Sequence, residues 1–206
     1  NCQLSTVNCI MKRINEIFYS LQGEGFHTGT PAVFVRFSGC NLQCHFCDTD
    51  HYSGTVMNEA EIVRAIMQYP LAPLIILTGG EPSLFIDRDF VDLLKHCTGK
   101  RVAIETNGTN TLPDNIDWVT LSPKSAYAGG NTFPLVIDRC DELKVVYTGQ
   151  PLEPYFDIKA HHYFLQPCYC ADETQRQQNI SDTIQAILDD PRWRLSLQTH
   201  RYLHIR

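Results

Sequence analysis

The chain lacks the features that mark membrane, secreted and nucleic-acid-binding proteins. It has no long Lys/Arg run and carries a net charge of −6, which disfavours a groove for nucleic acid. Its longest apolar stretch, around Leu74–Leu77, is far shorter than the roughly 20 residues of a membrane-spanning helix. Residues 1–10 have neither the basic start nor the apolar centre of a secretion signal. We therefore expect neither a membrane nor a nucleic-acid partner.

Internal repeats, linkers and low-complexity segments are also missing. The 206 residues then predict one domain with a substantial core. Because Met11-Lys12-Arg13 looks like a natural start, we interpret residues 1–13 as an N-terminal extension, either upstream or added, and residues 14–206 as the domain.

Cysteine is abundant, and three of the nine cysteines form the segment C-N-L-Q-C-H-F-C at Cys40, Cys44 and Cys47. Three thiolates in one loop can hold three corners of an iron–sulfur cube, and with no fourth cysteine nearby one iron would stay open to a small molecule. The alternative is a zinc site completed by His45 or His51. The odd cysteine count and the three cluster thiols indicate a reducing, cytoplasmic compartment.

Apolar runs punctuated by Gly and Pro predict an alternation of strands and helices. Strands are predicted at 32–37, 74–77, 101–105, 118–121, 143–147, 163–165 and 195–198, and helices at 58–68, 87–96 and 181–188. Such alternation implies an α/β fold with a mainly parallel sheet. Since a complete eight-stranded barrel usually needs about 250 residues, we predict a partial, open (β/α)6-type barrel with a trimmed helical layer.

Each polar motif follows the end of a predicted strand. The cysteine loop follows Phe37, and the others are Thr78-Gly79-Gly80-Glu81-Pro82, Glu105-Thr106-Asn107-Gly108, Ser122-Pro123-Lys124 and Gln166-Pro167. In barrel-like α/β folds these strand ends meet on one face, where ligands bind. The motifs are therefore predicted to form a single site.

The cysteine spacing, the aromatic Phe46 before the third cysteine and the G-G-E-P segment together resemble the radical S-adenosylmethionine (SAM) superfamily. The resemblance implies a radical SAM barrel with a 4Fe–4S cluster on Cys40, Cys44 and Cys47, whose open iron binds SAM. It also implies an electron donor, such as flavodoxin or ferredoxin, for reductive cleavage of SAM to a 5′-deoxyadenosyl radical.

The resemblance further implies a set of SAM-binding residues. Gly79 and Gly80 would let the backbone approach the cofactor, Glu81 would accept its ammonium group, and Lys124 would donate to its carboxylate or ribose. The milder alternatives are ordinary turn chemistry and a solvated lysine. The full set is Phe46, Cys47, Asp48, Gly80, Glu81, Ser122, Pro123, Lys124 and Gln166.

A second group of motifs resembles one family within the superfamily, the 7-carboxy-7-deazaguanine synthases. These motifs are Leu21-Gln22-Gly23-Glu24-Gly25, Arg36, Cys47-Asp48-Thr49 and Gln198-Thr199-His200, and the resemblance runs from Ile14 to Leu203. It implies ring contraction of 6-carboxy-5,6,7,8-tetrahydropterin to 7-carboxy-7-deazaguanine with loss of ammonia, in 7-deazapurine (queuosine-type) biosynthesis. It also suggests a homodimer.

The same resemblance assigns the pterin to Leu21, Gln22, Gly23, Glu24, Arg36, Thr78, His200 and, through its terminal carboxylate, Arg206. Arg36 would hold the substrate carboxylate with its guanidinium fork, although a structural ion pair is the simpler interpretation. Thr49 would help to hold a Mg2+ ion on the substrate carboxylate. Without the resemblance, Thr49 would be interpreted as a turn residue and His200 as a surface residue.

Two other functions remain open at the level of sequence. A glycyl-radical-enzyme activating enzyme is also short and shares this cysteine spacing, but it would not need Leu21–Gly25 or Arg36 for a pterin. A zinc-stabilised or electron-transfer module would carry a fully ligated metal and would not cleave SAM.

Overall fold

A computed structural model describes residues 10–45, 47, 50, 52–124 and 134–206 of the chain. Its sheet has nine strands in the order β3-β1-β2-β4-β5-β6-β7-β8-β9. The strands are β1 (Met11–Leu21), β2 (Pro31–Phe37), β3 (Thr55–Asn58), β4 (Leu74–Gly79), β5 (Arg101–Thr106), β6 (Trp118–Leu121), β7 (Arg139–Tyr147), β8 (Lys159–Pro167) and β9 (Arg194–Leu195).

Six strands, β2 and β4 to β8, form a continuous parallel array, which β9 extends by two residues. Within the described residues, only the β1 pairings with β2 and β3 are antiparallel. The predicted α/β fold with an open, mainly parallel sheet is confirmed.

The helical layer is thin, as predicted. It consists of α1 (Glu59–Met67), α2 (Arg88–Thr98), α3 (Glu173–Asp189) and the short α4 (Thr199–Leu203). Both predicted end signals are present: Asn58 and Glu61 form a capping box at the start of α1, and Gly99 ends α2 with a φ of 67°. No helix in the described ranges is long and apolar enough to cross a membrane.

The period of two along each strand divides the side chains between two layers. Val33, Val35 and Phe37 of β2 pack with Ile75 and Leu77 of β4 in the core that also holds buried side chains of α1 and α2. Ala32, Phe34, Leu74 and Ile76 point to the opposite face, where they pack with Phe18 and Ala103. A third cluster joins β7 and β8 to Trp193 and to α3.

Several boundaries differ from the prediction. Strand β1 and the short β3 were not predicted, and α3 begins eight residues earlier than expected. The predicted strand at 195–198 is wrong beyond Leu195, because Gln198 is the N-cap residue of α4 and not part of the ladder.

The predicted extension at 1–13 includes residues that the structure assigns to the sheet. Met11, Lys12 and Arg13 pair with β3, and buried Lys12 forms an ion pair of 3.0 Å with Glu59 at the start of α1. The described part of the domain therefore begins before Ile14, while residues 1–9 lie outside the described residues.

Candidate active site

The side chains that face away from α1 and α2 become polar at the carboxyl ends of the parallel strands. Arg36 of β2 is in register with Thr78 of β4, and Glu105, Lys144 and Gln166 come from β5, β7 and β8. All five line one cavity of about 450 Å3. The predicted convergence of strand-end motifs on a single site is therefore observed.

The cysteine loop forms one wall of this cavity. Cys40, Cys44 and Cys47 all line it, the Cys40 sulfur accepts the amide of Leu42 at 3.4 Å, and a turn joins the Cys47 amide to the carbonyl oxygen of Cys44. Among the described residues, no three His, Cys, Asp or Glu side chains are gathered tightly enough to hold a metal ion. As a donor set, three thiols on one cavity wall fit a cluster with one open iron.

Gly79, the last residue of β4, and Gly80, which follows it, pack closely against the end of β2 and the start of the cysteine loop. A Cβ on Gly80 would lie 1.9 Å from the carbonyl oxygen of Gly39, and one on Gly79 would lie 2.4 Å from that of Phe37. The Gly80 amide also donates to the Phe37 carbonyl oxygen, and the Glu81 amide donates to the Gly39 carbonyl oxygen, each at 2.9 Å. Contact with the end of β2 at Gly79 and with the cysteine loop at Gly80 is therefore a sufficient reason for both glycines, independent of any cofactor.

Glu81 is buried and already hydrogen-bonded. Its Oε1 accepts from the Thr106 hydroxyl (2.7 Å) and the Ser83 amide (3.1 Å), and its Oε2 accepts from the Asn107 amide (2.7 Å). Each carboxylate oxygen can accept about two bonds, so Oε2 keeps one lone pair for a further donor.

Of the other predicted cofactor residues, some line the cavity and some lie outside the described residues. Ser122, Lys124 and Gln166 line the cavity, whereas Pro123 does not. Burial lowers the pKa of Lys124, as does the positive charge of Lys144, while the Cys44 thiol opposes the shift. Phe46, Asp48 and the predicted Mg2+ ligand Thr49 lie outside the described residues.

The L-Q-G-E-G segment begins at Leu21, the last residue of β1, and lies against the end of the chain. Its geometry is set by Gln22, whose amide donates to the Thr30 carbonyl and whose own carbonyl accepts from Gly29. Gly23 packs on His200: its carbonyl accepts the Thr199 amide at 2.9 Å, and a Cβ there would lie 2.3 Å from the imidazole Nδ1. Leu21, Gln22, Gly23, Glu24 and His200 all line the cavity.

Glu24 is held in an ion pair with Lys144, and its Oε1 accepts from the Gln198 amide group at 2.9 Å. Burial alone would raise the pKa of Glu24, but the charge and hydrogen bond of Lys144 and the bond from Gln198 lower it to about 2. Glu24 is therefore a carboxylate at neutral pH.

Arg36 has the structural ion pair that was the simpler interpretation. Its Nε lies 3.0 Å from Oε1 of Glu16, and Nη2 of Arg206 lies 2.7 Å from the other oxygen of the same carboxylate. Both guanidinium groups lie over the Phe18 ring. The bond to Glu16 uses Nε of Arg36 and not the two terminal nitrogens of its guanidinium group. The main-chain oxygen of Arg206 accepts from the Ser20 hydroxyl.

Sequence reasoning missed three charged residues of the cavity, Glu16, Asp50 and Lys144, and placed Glu105 in the site without giving it a role. Glu105 accepts from the Gln22 amide group (3.0 Å) and from the Thr78 hydroxyl (2.6 Å), and lies 3.7 Å from Lys144. The available signal was strand alternation. Glu105 follows a buried apolar residue of β5, and Lys144 lies between two buried apolar residues of β7, so both charged side chains point to the face opposite those residues.

The Radical SAM superfamily profile matches residues 34–128 of the chain. A 7-carboxy-7-deazaguanine synthase of Bacteroides thetaiotaomicron is 55% identical over 96% of this chain and 100% of its own length. The chain belongs to the 7-carboxy-7-deazaguanine synthase family. A second synthase, from Nitratidesulfovibrio vulgaris, is 40% identical over 94% of this chain and 98% of its own.

A solved structure of the same architecture supports the assignment. QueE from Escherichia coli superposes with a TM-score of 0.71 at 26% identity, covering 91% of this chain and 93% of the QueE chain. Both matches to synthases span nearly the whole chain, so the family assignment covers the L-Q-G-E-G segment as well as the cysteine loop.

Proposed function

We propose that the protein contracts the ring of 6-carboxy-5,6,7,8-tetrahydropterin to 7-carboxy-7-deazaguanine with release of ammonia, as a radical SAM lyase in 7-deazapurine biosynthesis. The proposal rests on one observation: a single cavity is lined both by the three thiols and by the L-Q-G-E-G segment and Arg36. A whole-length relative named for this product supports it.

Membership of the superfamily implies a 4Fe–4S cluster and SAM. The cluster would be held by Cys40, Cys44 and Cys47, and together with SAM it would supply the 5′-deoxyadenosyl radical. The chain's own contribution is binding and orientation: Glu81 offers its remaining lone pair to the ammonium group of SAM, and Lys124 offers a cation next to Cys44. Ser122 and Gln166 line the same part of the wall.

For the pterin, the chain offers a carboxylate binder and a set of hydrogen-bonding groups. The fork of Arg36 suits the substrate carboxylate, since a guanidinium matches it in a bidentate geometry. Gln22, Glu24, Thr78 and His200 line the cavity and suit the flat pterin edge, which is rich in donors and acceptors. The Arg206 side chain adds a second positive charge beside Glu16.

We also propose that Thr49 would help to hold a Mg2+ ion for the substrate carboxylate, because a hard cation prefers oxygen ligands. Turnover should then rise with added Mg2+, and Thr49→Ala should weaken this response more than it weakens SAM binding. Thr120→Ala, which alters a buried strand hydroxyl that does not line the cavity, is the control. An equal Mg2+ response in Thr49→Ala and wild type would refute the role of Thr49.

The remaining proposals concern the setting of the reaction. We propose a homodimer that receives electrons from a flavodoxin or ferredoxin in the cytoplasm. An activating enzyme for a glycyl radical protein is not favoured, because the L-Q-G-E-G segment and Arg36 have no use in that reaction.

The direct test is an anaerobic reaction of the reconstituted protein with reductant, SAM and the carboxypterin. We expect a product with the mass and absorption of 7-carboxy-7-deazaguanine, and none when SAM or pterin is omitted. Cleavage of SAM that never yields a deazaguanine under these conditions would contradict the proposed function.

A further inference from the structure

One lysine lines the cavity beside Glu24, a residue assigned to the pterin. Lys144 is on β7, is only 5% exposed, and is flanked by buried apolar residues Leu143 and Val145, which face the other layer. Its ammonium group is paired with Glu24 and lies 3.7 Å from Oε1 of Glu105. A buried lysine between carboxylates on two other segments is costly unless the charges compensate.

The hydrogen bonds of these two carboxylates lead to the residues assigned to the pterin. Glu105 accepts from Gln22 and Thr78, and the Glu24 amide donates to Oε1 of Gln22 at 3.1 Å. Glu24 accepts from Gln198, which precedes His200 by two residues. Removing Lys144 would therefore disturb the residues around the pterin without touching the cysteine loop directly.

We propose that Lys144 is a positioning residue that holds the carboxylates of Glu24 and Glu105 side by side, as paired acceptors for the donor edge of the pterin. The 2-amino-4-oxo ring of a pterin presents two neighbouring N–H donors, and charged acceptors bind such donors about twice as strongly as neutral ones. Two adjacent, half-buried carboxylates repel each other, and a cation between them offsets that repulsion.

Charged groups on every neighbouring element act on this pair. Glu142, on β7 itself, is buried and accepts the Phe26 amide; burial raises its pKa and the charge of Lys144 opposes the shift. Lys124 approaches from the loop after β6, and His200 from α4. Burial would lower the pKa of Lys144, but Glu24, Glu105 and Glu142 raise it, so it stays protonated at neutral pH.

The sign of the pH effect follows. With Lys144 present, the pKa of Glu24 is about 2, so its charge does not change between pH 6 and pH 8. Without Lys144, the largest influence that lowers this pKa is gone, and burial raises it. The ionised fraction of Glu24 then falls about tenfold for each pH unit below the raised pKa.

The test compares Lys144→Met and Lys144→Arg in the reconstituted enzyme, counting 5′-deoxyadenosine and deazaguanine separately. The pterin KM of Lys144→Met should rise about tenfold or more at pH 7, and rise further toward pH 6 relative to wild type. Uncoupled cleavage of SAM should persist. Lys144→Arg keeps the charge and should keep the wild-type pH profile even if its KM is higher.

Lys100→Met is the matched control. Lys100 is also buried, at 7% exposure, but its ammonium group donates to the carbonyls of Pro70 and Ala72, and it does not line the cavity. It reports what the loss of a buried lysine does to stability alone. If Lys144→Met does not fold, Lys144→Gln removes the charge while keeping a donor for Glu24.

A neutral variant at position 144 with the wild-type pH profile for pterin KM would overturn the proposal. So would a change of profile in Lys144→Arg equal to that in the neutral variants. This inference rests on the proposed function, but the two fail differently. Wild-type enzyme that makes no deazaguanine refutes the function, whereas active wild type with an insensitive position 144 refutes only the role of Lys144.

Discussion

Glu16 joins two arginines in the wall of the cavity. It binds Nε of Arg36 with one oxygen and Nη2 of Arg206 with the other, so the three side chains together carry one net positive charge. One excess positive charge suits one substrate carboxylate. In this arrangement a structural ion pair and a substrate-binding role for Arg36 are compatible, since the ion pair orients the guanidinium group.

Arg36→Ala should separate substrate binding from radical generation. Loss of the fork typically costs about 2–5 kcal/mol, so productive pterin affinity should fall about thirtyfold or more. Arg36→Lys should recover only part, because an ammonium group cannot make the bidentate contact. The measurement is a pterin titration with iron content and 5′-deoxyadenosine followed in parallel. Wild-type affinity in Arg36→Ala, or loss of its cluster, would show that Arg36 does not serve the substrate.

Each cluster cysteine should be indispensable. Alanine at position 40, 44 or 47 should abolish 5′-deoxyadenosine formation, because a cube held by three thiolates cannot lose a corner. Cys140→Ala is the control, since Cys140 is a free cysteine buried in the core between β7 and β8 and does not line the cavity. Full activity of Cys44→Ala would be incompatible with a radical mechanism.

At the scale of elements, strand alternation explains how the site is assembled. Val33, Val35 and Phe37 pack in the helix-side core, and the intervening positions carry Phe34 and then Arg36 toward the cavity. The same alternation applies to β4, where Ile75 and Leu77 are in the core and Thr78 lines the cavity. The parallel register then places Arg36 beside Thr78.

Much of this was predictable from the sequence, because buried parallel strands are continuous apolar runs and helix ends carry local signals. Strand β6 and the two caps at Asn58 and Gly99 match the prediction. Strand β1 was missed since its apolar residues are diluted by Lys12, Asn15 and Glu16, whose partners are distant in sequence. The ion pairs of Glu24 and Arg36 also depend on pairing between distant segments, which local patterns do not reveal.

The capping box of α1 should contribute to stability and not to catalysis. Asn58→Ala removes the bond that the Glu61 amide donates to the Asn58 side chain at 2.9 Å, which typically costs about 0.5–2 kcal/mol. Urea unfolding should show this loss, while cluster content and turnover of the folded enzyme stay at wild-type levels. A large loss of activity without a loss of stability would show that α1 has a role in the site.

Gly80→Ala should impair the site and leave the fold unchanged. Its methyl group would lie 1.9 Å from the Gly39 carbonyl oxygen, so the strand end and the cysteine loop could not keep their contact. We expect a reduced iron content after reconstitution and weaker SAM binding, with far-UV circular dichroism like that of wild type. Normal iron content in Gly80→Ala would mean that the contact between these two loops is dispensable for the cluster.

At the scale of the whole molecule, the sheet has two edges, at β3 and β9, and does not close on itself within the described residues. Open edges can be covered by a second copy, so we expect a dimeric mass by light scattering at micromolar concentration. A monomeric mass at that concentration would contradict this expectation.

The central claim is that one cavity couples radical generation to ring contraction. The most direct measurement counts deazaguanine and ammonia in the same anaerobic reaction of wild-type enzyme with SAM and the carboxypterin. If the claim is correct, the two products appear in equal amounts and both depend on the pterin. Ammonia without 7-carboxy-7-deazaguanine, or 5′-deoxyadenosine with neither, would contradict it.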